Sequence, residues 1–200
     1  MIKGVVFDLG GVLLDNPASK MKSFISAVLD IPEEVLVTRI SPLMADFQKG
    51  RISESEVLSQ VSSDYEGKRS TYDSIWRKAI EFAYFPKKEM FSLVLELKQK
   101  GLKLGILSNT EMPVVEVLKE KDYSIFDVLV FSCLEGVRKP EKEIYWLLVN
   151  RLGLKAEEII FIDDREENII SASQIGLKSI LFKSPQQVKA EISQYSGIRF

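Results

Sequence analysis

The chain has 200 residues, 46% hydrophobic and 28% charged, which is enough apolar material for a sizeable core in one domain or in one domain with an insert. Its 27 basic and 29 acidic side chains give a net charge of -2, so charge gives no signal for nucleic acid or an anionic membrane surface. Histidine is absent and Cys133 is the single cysteine, which excludes a histidine general base, a zinc site of cysteine and histidine, and an intrachain disulfide.

The lengths of the apolar runs and the composition of the N-terminus indicate where in the cell the protein is expected. No apolar run approaches the length of a membrane span, and the N-terminus enters a predicted strand without a charged leader and a cleavable apolar segment. The lone cysteine suits a reducing compartment. We therefore expect a cytoplasmic protein, and we expect it to be a monomer or a weak homodimer.

The first predicted element is a buried strand that ends at an acidic side chain. Its apolar run, Val5-Val6-Phe7, is too short for a helix, is rich in β-branched and aromatic residues, and is followed by Asp8 and then by Gly10 and Gly11. A carboxylate there costs free energy unless a metal ion, a cation or hydrogen-bond donors compensate it. Alternatively, Asp8 bonds only the amides of the turn that follows.

The next seventy or so residues have helical apolar spacing. One predicted helix has Phe24, Ile25 and Val28 on one face, a capping box over residues 53–56 begins another, and Trp76 lies in a further one. We predict an all-helical cap domain, inserted after the first strand, with bounds at residues 16–84 for the cap and 1–15 plus 85–200 for the core. The two tryptophans, Trp76 and Trp146, are predicted to be buried.

After Pro86 strands and amphipathic helices alternate. Continuous apolar runs predict strands over residues 102–107, 128–131, 159–162 and 179–182. Helices are predicted around residues 90–95, over 141–152 and over 169–175. Buried strands separated by helices indicate an α/β fold with a Rossmann-like parallel sheet covered by helices on both faces.

Polar side chains follow the predicted strands where ligands bind in open parallel sheets, at the carboxyl edge. Three carboxylates at one edge would repel one another without a cation, and an all-oxygen set suits Mg²⁺. Hydroxyl, amide and lysine groups supply what a phosphate needs. The side chains are Asp8, Ser108, Asn109, Ser132, Arg138, Lys139, Asp163 and Asp164.

Each of these segments also has a simpler interpretation. Ser108-Asn109-Thr110 is a plausible cap of a following helix, and Lys139-Pro140 is compatible with a surface lysine before a helix. Asp163-Asp164 is compatible with another cap pair. Their joint occurrence in this order favours a site.

The ordered motifs resemble the four motifs of the haloacid dehalogenase superfamily. They are Phe7 to Leu13, Leu107-Ser108-Asn109, Lys139-Pro140, and Ile162-Asp163-Asp164 with Asn168 four residues on. The first motif, Phe7 to Leu13, is similar to that of one branch of the family, the sugar-phosphate phosphatases that resemble α-D-glucose-1-phosphate phosphatase. Members of this branch carry a helical cap after the first motif.

This resemblance implies a role for each matched residue. Asp8 would be the nucleophile that forms an aspartyl-phosphate, and Lys139 would steady Asp8 and the phosphate. The phosphate oxygens would be held by Ser108, Asn109 and Lys139. The ligands of Mg²⁺ would be Asp8, the carbonyl of Gly10, Asp163 and Asp164, with Asn168 behind them.

The chain departs from the family pattern at Gly10. Phosphatases of the family usually carry a second aspartate there as general acid and base, a role that contributes about 10² to 10⁴ in rate. We expect Gly10 to favour leaving groups that need little protonation, such as those of sugar 1-phosphates or acyl phosphates, unless water or a cap residue substitutes.

The predicted function is that of a Mg²⁺-dependent phosphatase acting on a small phosphorylated metabolite, without nucleic acid or membrane as partners. A 2-haloacid dehalogenase, which shares the nucleophilic aspartate and lacks the second one, is the alternative enzyme. The pair Asp163-Asp164 argues against it, because expelling a halide needs no divalent cation. A protein that binds a phosphometabolite or a partner without turnover is the third possibility.

Overall fold

The computed structural model describes residues 1–63 and 72–200, and these residues form a five-stranded parallel sheet. Numbered in chain order, the strands lie side by side as third, second, first, fourth and fifth. The first strand therefore lies at the centre of the sheet, where it pairs Phe7 with Ile106 on one side and with Ile162 on the other. The strands are β1 (Gly4–Phe7), β2 (Lys103–Ser108), β3 (Val128–Phe131), β4 (Ile159–Asp163) and β5 (Lys178–Leu181).

Helices follow β1 before the chain returns to the sheet. The first of them packs against the last, and both bury apolar residues at helical spacing, such as Met21, Ile25 and Leu29. The predicted capping box is confirmed, since the amide of Glu56 donates to Ser53 Oγ and the amide of Ser53 donates to Glu56. These helices are α1 (Ala18–Leu29), α2 (Glu33–Ile40), α3 (Met44–Gln48), α4 (Glu54–Val61) and α5 (Ile75–Ala83).

The segment that carries α1 to α5 leaves and re-enters the sheet region through two hydrogen-bonded connectors. The amide of Asp15 donates to the carbonyl of Phe85 at 2.9 Å, and the amide of Lys87 donates to the carbonyl of Leu13 at 2.8 Å. The Lys87 ammonium also lies 2.9 Å from the Asp15 carboxylate. The division into a core of residues 1–15 and 85–200 and a cap of residues 16–84 stays a prediction.

The remaining helices cover both faces of the sheet, because alternate strand residues point to opposite sides. Val5 and Phe7 belong to one core cluster, which includes residues of the sixth, seventh and eleventh helices, whereas Val6 belongs to a second cluster, which includes residues of the ninth and tenth helices. The predicted Rossmann-like α/β fold is confirmed. The helices are α6 (Lys88–Gln99), α7 (Met112–Lys119), α8 (Ser132–Glu135), α9 (Lys142–Leu152), α10 (Glu166–Gln174) and α11 (Pro185–Ser196).

The two tryptophans differ in burial. Trp76 is buried, as predicted, and its ring meets Phe47 edge to face with centroids 5.0 Å apart. The prediction for Trp146 is wrong, because its side chain is 47% exposed. It lies on α9 next to Tyr145, and the helix buries Ile144 and Tyr145 while turning the following residue outwards.

Over the two described ranges, no helix combines the length and the apolar character that a membrane span requires.

Candidate active site

Three carboxylates meet at the carboxyl edge of the sheet. Asp8 follows β1, Asp163 is the last residue of the neighbouring strand β4, and Asp164 comes next. One carboxylate oxygen of each lies within 4.8 Å of the others. Because β1 and β4 are parallel and in register, their ends bring these side chains together without any long-range loop.

Lys139 joins two of the three carboxylates. Its ammonium lies 2.8 Å from Asp8 Oδ1 and 2.6 Å from Asp163 Oδ2, and its side chain is only 1% exposed. Burial acts to lower the pKa of Lys139, but the charges of Asp8 and Asp163 outweigh burial and raise it. The lysine is therefore a buried cation, and it offsets part of the negative charge at the edge.

The Asn109 side chain positions the loop that carries Lys139. Its Nδ2 donates to the carbonyl of Lys139 at 2.8 Å, and its Oδ1 accepts from the amide of Lys139 at 2.8 Å. Both polar ends of the Asn109 side chain are thus engaged by backbone. Ser108 precedes it at the end of β2, is buried, and lines the same cavity as Asp8.

Asp163 is held on all sides by donors from the protein. Besides Lys139, its oxygens accept from the amide of Arg165 at 2.9 Å and from Asn168 Nδ2 at 2.9 and 3.0 Å. The residue is fully buried. Asp164, in contrast, is half-buried and lines the cavity. The adjacent carboxylates therefore differ in environment, with one engaged by donors and the other open to a ligand.

Asp8 has one oxygen fixed and one directed away from its donors. Its Oδ1 accepts from the amide of Leu9 at 2.7 Å and contacts Lys139, and among the described residues no hydrogen bond reaches Oδ2. Burial raises the pKa of Asp8 to about 7; the charge of Lys139 opposes this shift and that of Asp163 adds to it. Burial and the charge of Asp163 likewise raise the pKa of Asp164.

The two glycines after Asp8 have different structural roles. Gly11 has φ +88, and a Cβ on it would lie 2.1 Å from Asp164 Oδ2, so only glycine allows this close approach. Gly10 does not have positive φ, and a Cβ on it would meet Pro17 Cδ at 3.2 Å. The steric role of Gly11 was not predicted from the sequence, although a Gly-Gly pair after a strand-ending acid signals a close backbone approach.

A cavity of about 380 Å³ extends from the carboxylates to the helices that follow β1. Glu111, which was not predicted from the sequence, lies in its wall and is 6% exposed. Its Oε1 accepts from Gln48 Nε2 at 3.0 Å, and burial raises its pKa. Ser132, which was predicted near the site, instead braces the loop after β2 by accepting from the amide of Thr110 at 2.9 Å.

Proteins of known name are similar to this chain over nearly its whole length. Sesquiterpene phosphatase astK of Aspergillus oryzae is 28% identical over 198 residues, which cover 98% of this chain and 97% of that protein. Glyceraldehyde 3-phosphate phosphatase of Methanocaldococcus jannaschii is 26% identical over 208 residues, with 98% and 91% covered. Two further relatives are longer, and the chain spans 19% and 37% of their lengths.

A solved structure shares the fold. An enzyme of the haloacid dehalogenase family from Bacteroides thetaiotaomicron, in complex with magnesium and inorganic phosphate, superposes with a TM-score of 0.76 at 22% identity, covering 92% of this chain and 95% of that one. The family model of haloacid dehalogenase-like hydrolases matches residues 2–176. A match over that much of the sequence, together with this fold, shows that the chain belongs to the haloacid dehalogenase-like hydrolases.

Proposed function

We propose that this hydrolase is a Mg²⁺-dependent phosphatase that transfers the phosphoryl group of a small phosphorylated metabolite to Asp8 and then to water. The observation that carries the proposal is the asymmetry of Asp8, whose Oδ1 is held by Lys139 and the amide of Leu9 while Oδ2 is left for the substrate. The names of two relatives that match nearly the whole chain, both phosphatases, support it.

The first step forms a bond between Asp8 Oδ2 and phosphorus and breaks the bond between phosphorus and the leaving-group oxygen. Lys139 and the amide of Leu9 hold Oδ1, so that Oδ2 is the oxygen available to attack phosphorus opposite the leaving group. The leaving group departs as an oxyanion and takes its proton from water. A second water molecule then attacks phosphorus, which breaks the bond to Asp8 Oδ2, releases inorganic phosphate together with the protons of that water, and returns Asp8 as a carboxylate. Each displacement is assisted by positive charge that offsets the approach of an anion to an anion.

Phosphate oxygens are assigned to the end of β2 and to Lys139. Ser108 and Lys139 both line the cavity, and the ammonium of Lys139 lies 2.8 Å from Asp8 Oδ1. The side-chain amide of Asn109 is engaged with Lys139, so we assign its contact with phosphate to the backbone N–H and its side chain to positioning the lysine.

The residues at the edge fit a hard divalent cation. We assign direct ligation to Asp8, Asp164 and the carbonyl of Gly10, and we assign Asp163 to positioning Lys139, because donors of the protein already engage both its oxygens. The buried Oδ1 of Asn168 has no hydrogen-bond partner within the described residues. This oxygen suits the role of accepting a hydrogen bond from a water molecule that is bound to the ion. A bound Mg²⁺ would supply positive charge to the transferring phosphoryl group.

The helices between residues 16 and 84 are proposed to act as a cap. The cavity lies between the sheet edge and α1, α2 and α5, so a substrate bound at Asp8 is enclosed by these helices. Enclosure excludes bulk water while the phosphate is aligned. For the location we propose the cytoplasm.

A phosphatase screen with and without Mg²⁺ tests the proposal. Acetyl phosphate, phenyl phosphate and sugar phosphates are assayed with the wild type, with Asp8→Asn and with Asp46→Asn as a matched control. Asp46 is a half-exposed acid of α3, and it pairs with Arg51, which follows that helix. We expect phosphate release that EDTA removes and that Asp8→Asn lowers by at least about 10³-fold. Activity that persists in Asp8→Asn would refute the assignment, and halide release from a 2-haloacid in EDTA would favour the dehalogenase.

A further inference from the structure

The cavity has two chemically different ends. The buried polar residues that line it lie at the sheet edge, and they include Asp8, Ser108 and Lys139. Towards the cap its buried lining residues are apolar and belong to three helices. They are Met21 and Ile25 of α1, Leu36 and Ile40 of α2, and Trp76 and Ile80 of α5.

Most polar lining residues on the cap side are near solvent or already bonded. Asn16, Ser41 and Arg165 are exposed and lie where the cavity meets solvent, and Lys22 of α1, which is half-buried, also lines the cavity. Gln48 and Glu111 lie deeper and hydrogen-bond each other. The interior of the cap side therefore presents mainly carbon atoms to whatever is attached to the phosphate.

This division determines which leaving group the cavity accepts. A hydroxyl group that enters an apolar wall loses its water and finds no partner, which disfavours binding. A hydrocarbon group gains from leaving water in proportion to the apolar area that it buries. A volume of about 380 Å³ lies in the range of cavities that enclose small organic ligands.

We propose that the substrate is a phosphate monoester or acyl phosphate whose leaving group is mainly apolar, with a hydrocarbon body seated among α1, α2 and α5. This inference rests on the proposed function, because it takes Asp8 to be the site of phosphoryl transfer. It assigns substrate selection to the six apolar side chains rather than to hydrogen bonds with hydroxyl groups.

The test uses phenyl phosphates with a linear alkyl group of zero to four carbons at the para position. The leaving groups differ little in basicity, so the missing acid at Gly10 affects all of them equally, while the apolar area increases along the series. We expect kcat/KM to rise about fourfold for each methylene until the cavity is filled, mainly through a lower KM. A flat or falling series would overturn the inference.

Met21→Gln places an amide in the apolar wall with little change in length, and Met112→Gln is its matched control. Met21 is 8% exposed and lines the cavity, whereas Met112 is 38% exposed and does not line it. The measured quantity is the ratio of kcat/KM for the butylphenyl and phenyl esters, which the folded fraction does not affect. We expect the ratio to fall at least fivefold in Met21→Gln and to stay unchanged in Met112→Gln; equal ratios would overturn the role of the wall.

Two further measurements separate this inference from the proposed function. If phenyl phosphate is hydrolysed in a manner that depends on Asp8 but the series is flat, the inference fails and the phosphatase stands. If no phosphate is hydrolysed, the proposed function fails, and calorimetric binding of butylphosphonate against its hydroxylated analogue still tests the wall. Tighter binding of butylphosphonate supports the inference, and equal or weaker binding overturns it.

Discussion

Replacing Lys139 by methionine removes the buried cation that Asp8 and Asp163 share while keeping an unbranched apolar side chain. The side chains involved are 1%, 11% and 0% exposed, so the two carboxylates gain little from water in the variant. Removing one partner of a buried ion pair costs about 3–5 kcal/mol. For a chain of this size, about 2–4 °C of Tm corresponds to each kcal/mol, so Tm should fall by roughly 6–20 °C at pH 8.

The pH dependence identifies the cause. Burial already raises the pKa of Asp8, and without Lys139 it rises further, so the folded variant holds its proton more tightly than the unfolded chain. Such a group destabilises the fold as pH rises above the unfolded pKa of about 4, and protonation removes the penalty at lower pH. The deficit in Tm, measured by calorimetry in EDTA, should be smaller at pH 5 than at pH 8.

A surface lysine provides the control for this experiment. Lys98 pairs with Asp127 at 2.8 Å, but both side chains are 38% exposed, so Lys98→Met should cost no more than about 1 kcal/mol. If Lys139→Met loses no more stability than Lys98→Met, or if its deficit is the same at both pH values, the reasoning from a buried shared cation is wrong.

Three further predictions concern turnover. Gly11→Ala should abolish Mg²⁺-stimulated phosphate release, because its Cβ would displace Asp164. Gly101 is the control, because it also has positive φ but has open space around the added Cβ. Gly101→Ala should lose only about 1–2 kcal/mol of stability and keep its activity. At limiting Mg²⁺, kcat/KM should rise with pH as Asp8 loses its proton near pH 7. Saturating Mg²⁺ should move this rise to lower pH, because the cation favours the carboxylate. A flat profile of kcat/KM from pH 5 to 9 would contradict the role of Asp8. Gly10→Asp should raise the rate for butyl phosphate relative to acetyl phosphate, because the new carboxyl group supplies a general acid and the φ of residue 10 is one that aspartate adopts. An unchanged ratio of the two rates would contradict the importance of leaving-group protonation.

Much of the sheet could be predicted from sequence because buried parallel strands are continuous apolar runs. The bounds of β3 match the prediction, and the other predicted strands differ by a residue or two. Helix α10 begins at Glu166, three residues before the predicted start, because its first turn is polar and lies outside the apolar pattern. Helix α7 was missed since its valines favour strands, and α11 was missed although its capping box at Ser184 and Gln187 was a readable signal.

The candidate site was predictable to the level of which segments meet, because the ends of adjacent parallel strands share one edge. What each side chain does there depends on loop geometry that has no sequence period. The adjacent acids Asp163 and Asp164 are equivalent in a sequence pattern, yet one accepts bonds from Lys139, Asn168 and a backbone amide while the other faces the cavity. The engagement of the Asn109 amide with the Lys139 loop is likewise a long-range contact.

The paired connectors at residues 13–15 and 85–87 restrict how α1 to α5 are able to move against the sheet. Two backbone segments linked by the hydrogen bonds of Asp15 and Lys87 bend together readily, but sliding or separating them breaks those bonds. We therefore expect α1 to α5 to rotate as a unit relative to the sheet, about a single hinge axis that runs along this short ribbon. The largest displacement would then fall on the rim farthest from the ribbon, and we expect ligands to enter and leave the cavity there.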